Sequence, residues 1–132
     1  MTTFNEKDLI AVAAAAREKA YAPYSSFKVG AALFGTGGET FAGCNIENVS
    51  FGLTMCAERV ALGAAIQGGI ADFEAIAIVS DSHEPVVPCG ACRQVLAEFA
   101  PALKVYSANL TGQVTEFSLS ILLPSPRQGI LG

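Results

Sequence analysis

FEAIAIVSDSHEPVVPCGACRQVLAEFAPALKVYSAN, residues 73–109, reads as strand, loop, helix and strand, and it decides the fold class. FEAIAIVS (73–80) is a short, strongly apolar run of strand length. DSHEPVVP (81–88) holds two prolines and reads as a loop. CGACRQVLAEFA (89–100) reads as a helix stopped by Pro101, and LKVYSAN (103–109) as another strand. Downstream, QVTEFSL (113–119) follows an NLTG turn as a further strand. Upstream, CAERVALGAAIQ (56–67) reads as a helix ending at Gly68 and Gly69. Before it, Phe27–Phe34 (FKVGAALF) and TFAGCNIEN (40–48) form a hairpin around GTGGE. The first helix, DLIAVAAAAREKAY, is capped by Asn5 or by a Thr3–Glu6 capping box and stops before Pro23. This order predicts a three-layer α/β/α sandwich around a central mixed five-stranded sheet, as a single domain over residues 1–132. The tail PSPRQGILG has no periodicity and reads as loop.

Composition narrows the function. Of 132 residues 52% are hydrophobic and 15% charged, a lean polar surface that favours subunit contacts. The net charge of −4 and the scattering of the eight basic residues disfavour a nucleic-acid partner, because that affinity comes largely from Lys and Arg on phosphates. A small, nearly uncharged ligand suits the balance better. No run approaches the roughly 18 apolar residues of a membrane span. MTTFNEKDLI lacks the basic, then apolar, pattern of a secretory signal, so the expected location is cytoplasmic.

A reducing compartment turns Cys44, Cys56, Cys89 and Cys92 away from disulfides and towards metal or catalysis. PCGAC places Cys89 and Cys92 three apart at a helix start, where both sulfurs share a face and the helix dipole favours thiolate. Alone, this C-x-x-C fits a redox pair, half a zinc finger or chance. Cys56 has the same setting at its own helix start, so three thiolates can converge on one zinc with an open fourth position. Cys44 as a fourth ligand would give a closed structural site; its mid-strand place reads instead as a buried apolar cysteine.

A zinc ion with three thiolates needs positive charge nearby. Arg59, with a planar fork able to reach two sulfurs, is the first candidate, and Arg93 the weaker one. Its bland reading is a solvated helix arginine. Glu58 sits in the first turn of that helix, where a carboxylate either moves a proton for a zinc-activated water or simply complements the dipole. Spacing alone leaves both open. His83, in a proline-flanked loop, reads as solvated and not a ligand.

Taken in order, AYAPYSSFKVGAAL, GCNIENVSFGLTMCAER, PCGACRQVL and the late LLP resemble the small homotetrameric zinc-dependent cytidine deaminases along nearly the whole chain. The resemblance implies one Zn2+ per subunit, held by Cys56, Cys89 and Cys92. It makes Glu58 the proton shuttle for hydrolytic deamination of cytidine and deoxycytidine to uridine and deoxyuridine plus ammonia, as in pyrimidine salvage, with Arg59 balancing charge. The Pro88 carbonyl would accept from the leaving group. Phe27 would pack on the pyrimidine, Asn45 and Glu47 would hold the ribose 3′-hydroxyl, and the Ala57 N–H would meet the base carbonyl. Homotetramers with sites at subunit interfaces are implied as well. Without the family, Phe27 reads as strand core and the pair Asn45 and Glu47 as turn formers.

Two departures bear on substrate choice. Phe51 stands where the family often has a tyrosine near the sugar, and Arg127 stands where many relatives carry a phenylalanine lid. The second predicts tolerance of cytidines enlarged at N4. The competing readings are deamination of blasticidin S, editing of nucleic acid, a redox protein and a catalytically silent zinc-binding module. The CNIEN ribose signature favours nucleosides over the first, and Glu58 argues against the last.

Overall fold

The computed structural model describes residues 4–126. In chain order its elements are α1 (Glu6–Arg17), β1 (Val29–Gly35), β2 (Thr40–Cys44), a 3-10 turn (Phe51–Leu53), α2 (Ala57–Gln67) and β3 (Phe73–Ser80). There follow α3 (Gly90–Phe99), β4 (Lys104–Asn109), β5 (Val114–Ser118) and a short α4 (Leu119–Leu122). The strands form one sheet in the order β2-β1-β3-β4-β5. β3 and β4 pair in parallel, and the other neighbours are antiparallel. The mixed five-stranded sheet expected from the sequence is therefore present.

Strand alternation sends successive side chains to opposite faces. Ala31, Leu33, Ile76, Ile78 and Val105 pack with Ala61 and Leu62 of α2 and Leu96 of α3. Ala32, Phe34, Ala75, Ala77 and Ala108 pack with Leu9 and Ala13 of α1. Helices thus cover both faces, which gives the three layers. The helices lie close where side chains vanish. A Cβ on Gly30 of β1 would stand 1.9 Å from the Ala13 carbonyl oxygen, and one on Gly43 of β2 only 2.4 Å from the Ala61 nitrogen. The second contact seats α2, backbone against backbone, on the edge strand.

Several boundaries differ from the sequence reading, each for a local reason. α1 is capped by the Asn5 side chain, which accepts from the amides of Lys7 and Asp8; Thr3 lies outside the described residues. The helix ends at Arg17 instead of continuing to Tyr21, because Tyr21 bridges to Ile46. β1 begins at Val29, so Phe27 stands outside the strand. There the Asn45 side chain intercepts the backbone, accepting from the Val29 amide and donating to the Phe27 carbonyl. Cys44 is half-buried and ends β2 instead of sitting in its middle. β5 stops at Ser118, and the buried Leu119 starts α4, its amide donating to the Leu103 carbonyl. Among the described residues no helix is long and apolar enough to cross a membrane.

Candidate active site

α2 and α3 each begin on a cysteine. Cys56 is the N-cap of α2 and Cys89 that of α3, both in extended backbone conformation, and Cys92 follows in the first turn of α3. The Cys89 and Cys92 sulfurs are 3.3 Å apart, those of Cys56 and Cys89 3.8 Å, and all three lie within 4.8 Å of one another. Tetrahedral zinc with Zn–S bonds of about 2.3 Å spaces its sulfurs by about 3.8 Å. The donor set therefore fits zinc in chemistry and in spacing. Cys44 is not among these converging thiols.

The local electrostatics match a site built for a cation. A hydrogen bond from Cys92, with others from Arg59 and Cys89, holds the Cys56 thiol down to about 5 against the effect of burial. The Cys92 thiol is pushed up by that same bond, by its own burial and by the Glu58 charge. Arg59 donates from Nη2 to the Cys56 sulfur at 3.4 Å and to the Thr54 carbonyl at 3.4 Å. Cys56 is its main sulfur partner and Cys92 interacts with it as well; among the described residues its buried Nε has no hydrogen-bond partner. Arg93 is committed elsewhere, with Nε donating to the Pro88 carbonyl at 2.7 Å and Nη1 to the Leu122 carbonyl at 3.3 Å. The Pro88 carbonyl, the expected partner of the leaving group, thus already accepts one bond.

Glu58 is 5% exposed. Burial raises its pKa, and the Cys56 charge adds to the rise, while its own amide, Cys92 and Arg59 oppose it. A carboxyl displaced upward beside a cluster of cysteine sulfurs is suited to holding and releasing a proton. Above it opens a cavity of about 500 Å³, the size of a small-molecule site. Cys56, Ala57 and Glu58 line the cavity together with Phe27, Asn45, Glu47 and Phe51. The fold thus gathers Phe27, Asn45, Glu47, Phe51 and Ala57 around one space, while Pro88 is not among its lining residues. Ala57 is the first helical residue of α2, so its N–H has no partner within the helix.

Asn45 and Glu47 have a job beyond the cavity. One oxygen of the Glu47 carboxylate accepts from the amides of Tyr24 (3.0 Å) and Ser25 (3.2 Å), and the other from the Ser25 hydroxyl. These bonds, the Ser25 hydroxyl first, hold the carboxyl below the usual range. Segment 21–27 therefore hangs from segment 45–47. Ser25, Thr54, Val86 and Val87 also line the cavity, and the sequence reading missed them. Only Ser25 left a trace in the sequence, a hydroxyl two residues ahead of an aromatic in YSSF, the spacing of a serine turn. His83 is exposed, as expected. Arg127 lies outside the described residues.

Cysteine-headed helices aimed at one point, with a buried carboxyl beside them, define a metal-dependent hydrolytic site. Comparison with known proteins agrees with that class. Residues 4–108 match the cytidine and deoxycytidylate deaminase zinc-binding region. A cytidine deaminase of Halalkalibacterium halodurans is 56% identical over 88% of this chain and 89% of its own length. One of Sporosarcina psychrophila is 50% identical over 88% and 86%. The crystal structure of a Burkholderia pseudomallei cytidine deaminase superposes with a TM-score of 0.89 at 52% identity, covering 92% of this chain and 98% of that one. The chain belongs to the zinc-binding cytidine and deoxycytidylate deaminase family.

Proposed function

We propose that this enzyme deaminates cytidine and deoxycytidine by hydrolysis, giving uridine or deoxyuridine and ammonia. One observation carries the reading: the buried Glu58 carboxyl lies beside three converging sulfurs at a nucleoside-sized cavity. Cys56, Cys89 and Cys92 would hold one zinc ion per chain, which when bound supplies the Lewis acidity that makes water nucleophilic near neutral pH. Glu58 carries the protons. Its raised pKa suits both acceptance and return, so that one proton of water reaches ring N3 and the other the departing amine at C4. Arg59 offsets thiolate charge through its bond to Cys56.

Binding follows from the same cavity. Phe27 packs on the pyrimidine, the Ala57 N–H donates to the base carbonyl, and Phe51 borders the sugar. Asn45 and Glu47 hold the 3′-hydroxyl. A carboxylate has about four lone-pair sites, and three of those on Glu47 serve the Tyr24–Ser25 loop, which leaves room for one sugar hydroxyl. We place the enzyme in cytoplasmic pyrimidine salvage, as a homotetramer with sites at subunit interfaces. The exposure of Val49 (81%), Phe51 (61%) and Leu53 (69%), at alternate positions of one segment whose Phe51 lines the cavity, supports such contacts.

The test is cytidine absorbance and ammonia release with purified protein, with metal content measured in parallel. The wild type should deaminate both nucleosides with about one zinc per chain, and Cys56→Ser, Cys89→Ser and Cys92→Ser should each lose metal and turnover together. A zinc-loaded wild type inert on cytidine and deoxycytidine would overturn the reading.

A further inference from the structure

We infer that Ser25 is a positioning residue that sets the substrate affinity of the pocket by fixing Phe27, an inference that rests on the nucleoside reading of the cavity. Its hydroxyl donates to Glu47 and accepts from the Phe27 amide at 3.0 Å, so a single oxygen links the buried carboxylate to the backbone of the aromatic residue. On its other side Phe27 is held by Asn45, whose Nδ2 donates to the Phe27 carbonyl at 2.8 Å. Phe27 itself is 36% exposed and stands outside β1, so no strand ladder holds its backbone. The hydrogen bonds at its two backbone ends do, and they set where the ring starts from.

The loop is held against its own preference. Ser26, between the two, has φ of 59°, left-handed backbone that a side chain other than glycine adopts reluctantly. Its amide closes a turn onto the Ala22 carbonyl at 3.0 Å. Such a conformation persists only where the surroundings over-determine it. With the Ser25 hydroxyl gone, the Phe27 amide loses its acceptor and Glu47 loses a donor, and the loop is free to relax at Ser26. The ring then leaves the wall of the cavity. The chemistry at Glu58 and the cysteines, on α2 and α3, stays as it was.

The test is a double-mutant cycle on steady-state deamination of cytidine. Ser25→Ala should raise KM about tenfold, the upper end of what an aromatic contact contributes, with kcat within about twofold of wild type. Ser25→Thr, which keeps the hydroxyl, should restore KM. In a Phe27→Ala background the same Ser25→Ala change should alter KM by less than about twofold, because its route of action is already gone. An equal KM factor in both backgrounds, or none in the wild type, overturns the inference. Hydrogen exchange over residues 21–28 reads the same link without any substrate. It should quicken in Ser25→Ala and not in Ser25→Thr, and unchanged exchange overturns the inference even if cytidine proves not to be the substrate. A wild type inert on cytidine with quickened exchange in Ser25→Ala would instead sink the nucleoside reading alone.

Discussion

Gly43→Ala should damage the active site from the far side of a helix. An alanine Cβ there would stand 2.4 Å from the Ala61 nitrogen, 2.6 Å from the Ala57 carbonyl oxygen and 3.0 Å from the Ala61 Cα. These are backbone atoms, so no side chain can swing aside. Ordinary contact begins at 3.4 Å, and α2 must therefore move off β2 by about 1 Å. Overpacking of this kind costs about 1–3 kcal/mol, and each kcal/mol lowers Tm by about 3–5 °C in a chain of this length. The same helix starts at Cys56 and carries Glu58 in its first turn. Metal sites tolerate about 0.2 Å, and a 1 Å misplacement of catalytic groups costs about 100-fold. Gly43→Ala should thus lose zinc affinity and about two orders of magnitude in kcat, read by metal analysis and the cytidine assay. Gly63→Ala, on the same helix with nothing within 4 Å of its added Cβ, is the control. It should stabilise by about 1 kcal/mol through helix propensity and leave turnover unchanged. A Gly43→Ala protein with the Tm, zinc content and kcat of the wild type would show that the close approach of β2 does not set the position of α2.

Two further outcomes follow from the charged groups. The Glu47 carboxyl is held below its usual value of 4.5, so its contribution to stability is full above that value and is lost as pH falls through the folded one. Glu47→Gln should therefore flatten the fall in Tm on acidification below about pH 4.5, and an unaltered acid limb would contradict the bonds drawn to Ser25 and Tyr24. Zinc uptake by the metal-free protein at neutral pH should release protons, since Cys92 retains its own until a cation replaces it. An indicator-dye or calorimetric titration in buffers of different ionisation enthalpy reads that release, and zinc binding without it would argue against Cys92 as a ligand.

Much of this was legible in the sequence because the deciding features are local. FEAIAIVS and LKVYSAN are short runs of strand length with β-branched and aromatic residues, and they became β3 and β4. CAE and PCGAC each put a cysteine at a helix start, and those starts meet because α2 and α3 pack on one face of the sheet. The features that stayed hidden depend on contacts between distant segments. Phe27 looks like the first residue of a strand until the Asn45 amide takes the place of a strand partner. Glu47 looks like a turn former, and nothing local to CNIEN says that its carboxylate closes on Tyr24 and Ser25. The close approach of the Arg59 Nη2 to Cys56 is likewise a matter of side-chain direction, which spacing does not encode. α4 was missed because SLSILL has the apolar content of either a strand end or a helical turn.

Glu58 is proposed to move protons and not to hold the fold or the metal. Glu58→Gln keeps the shape and removes the ionisable oxygen. Measured together, zinc content and cytidine turnover should read about one zinc per chain in both proteins, with kcat lower in the variant by about 100-fold or more, the scale of general acid–base catalysis. A Glu58→Gln enzyme with full zinc and near-wild-type kcat would rule out Glu58 as the proton carrier.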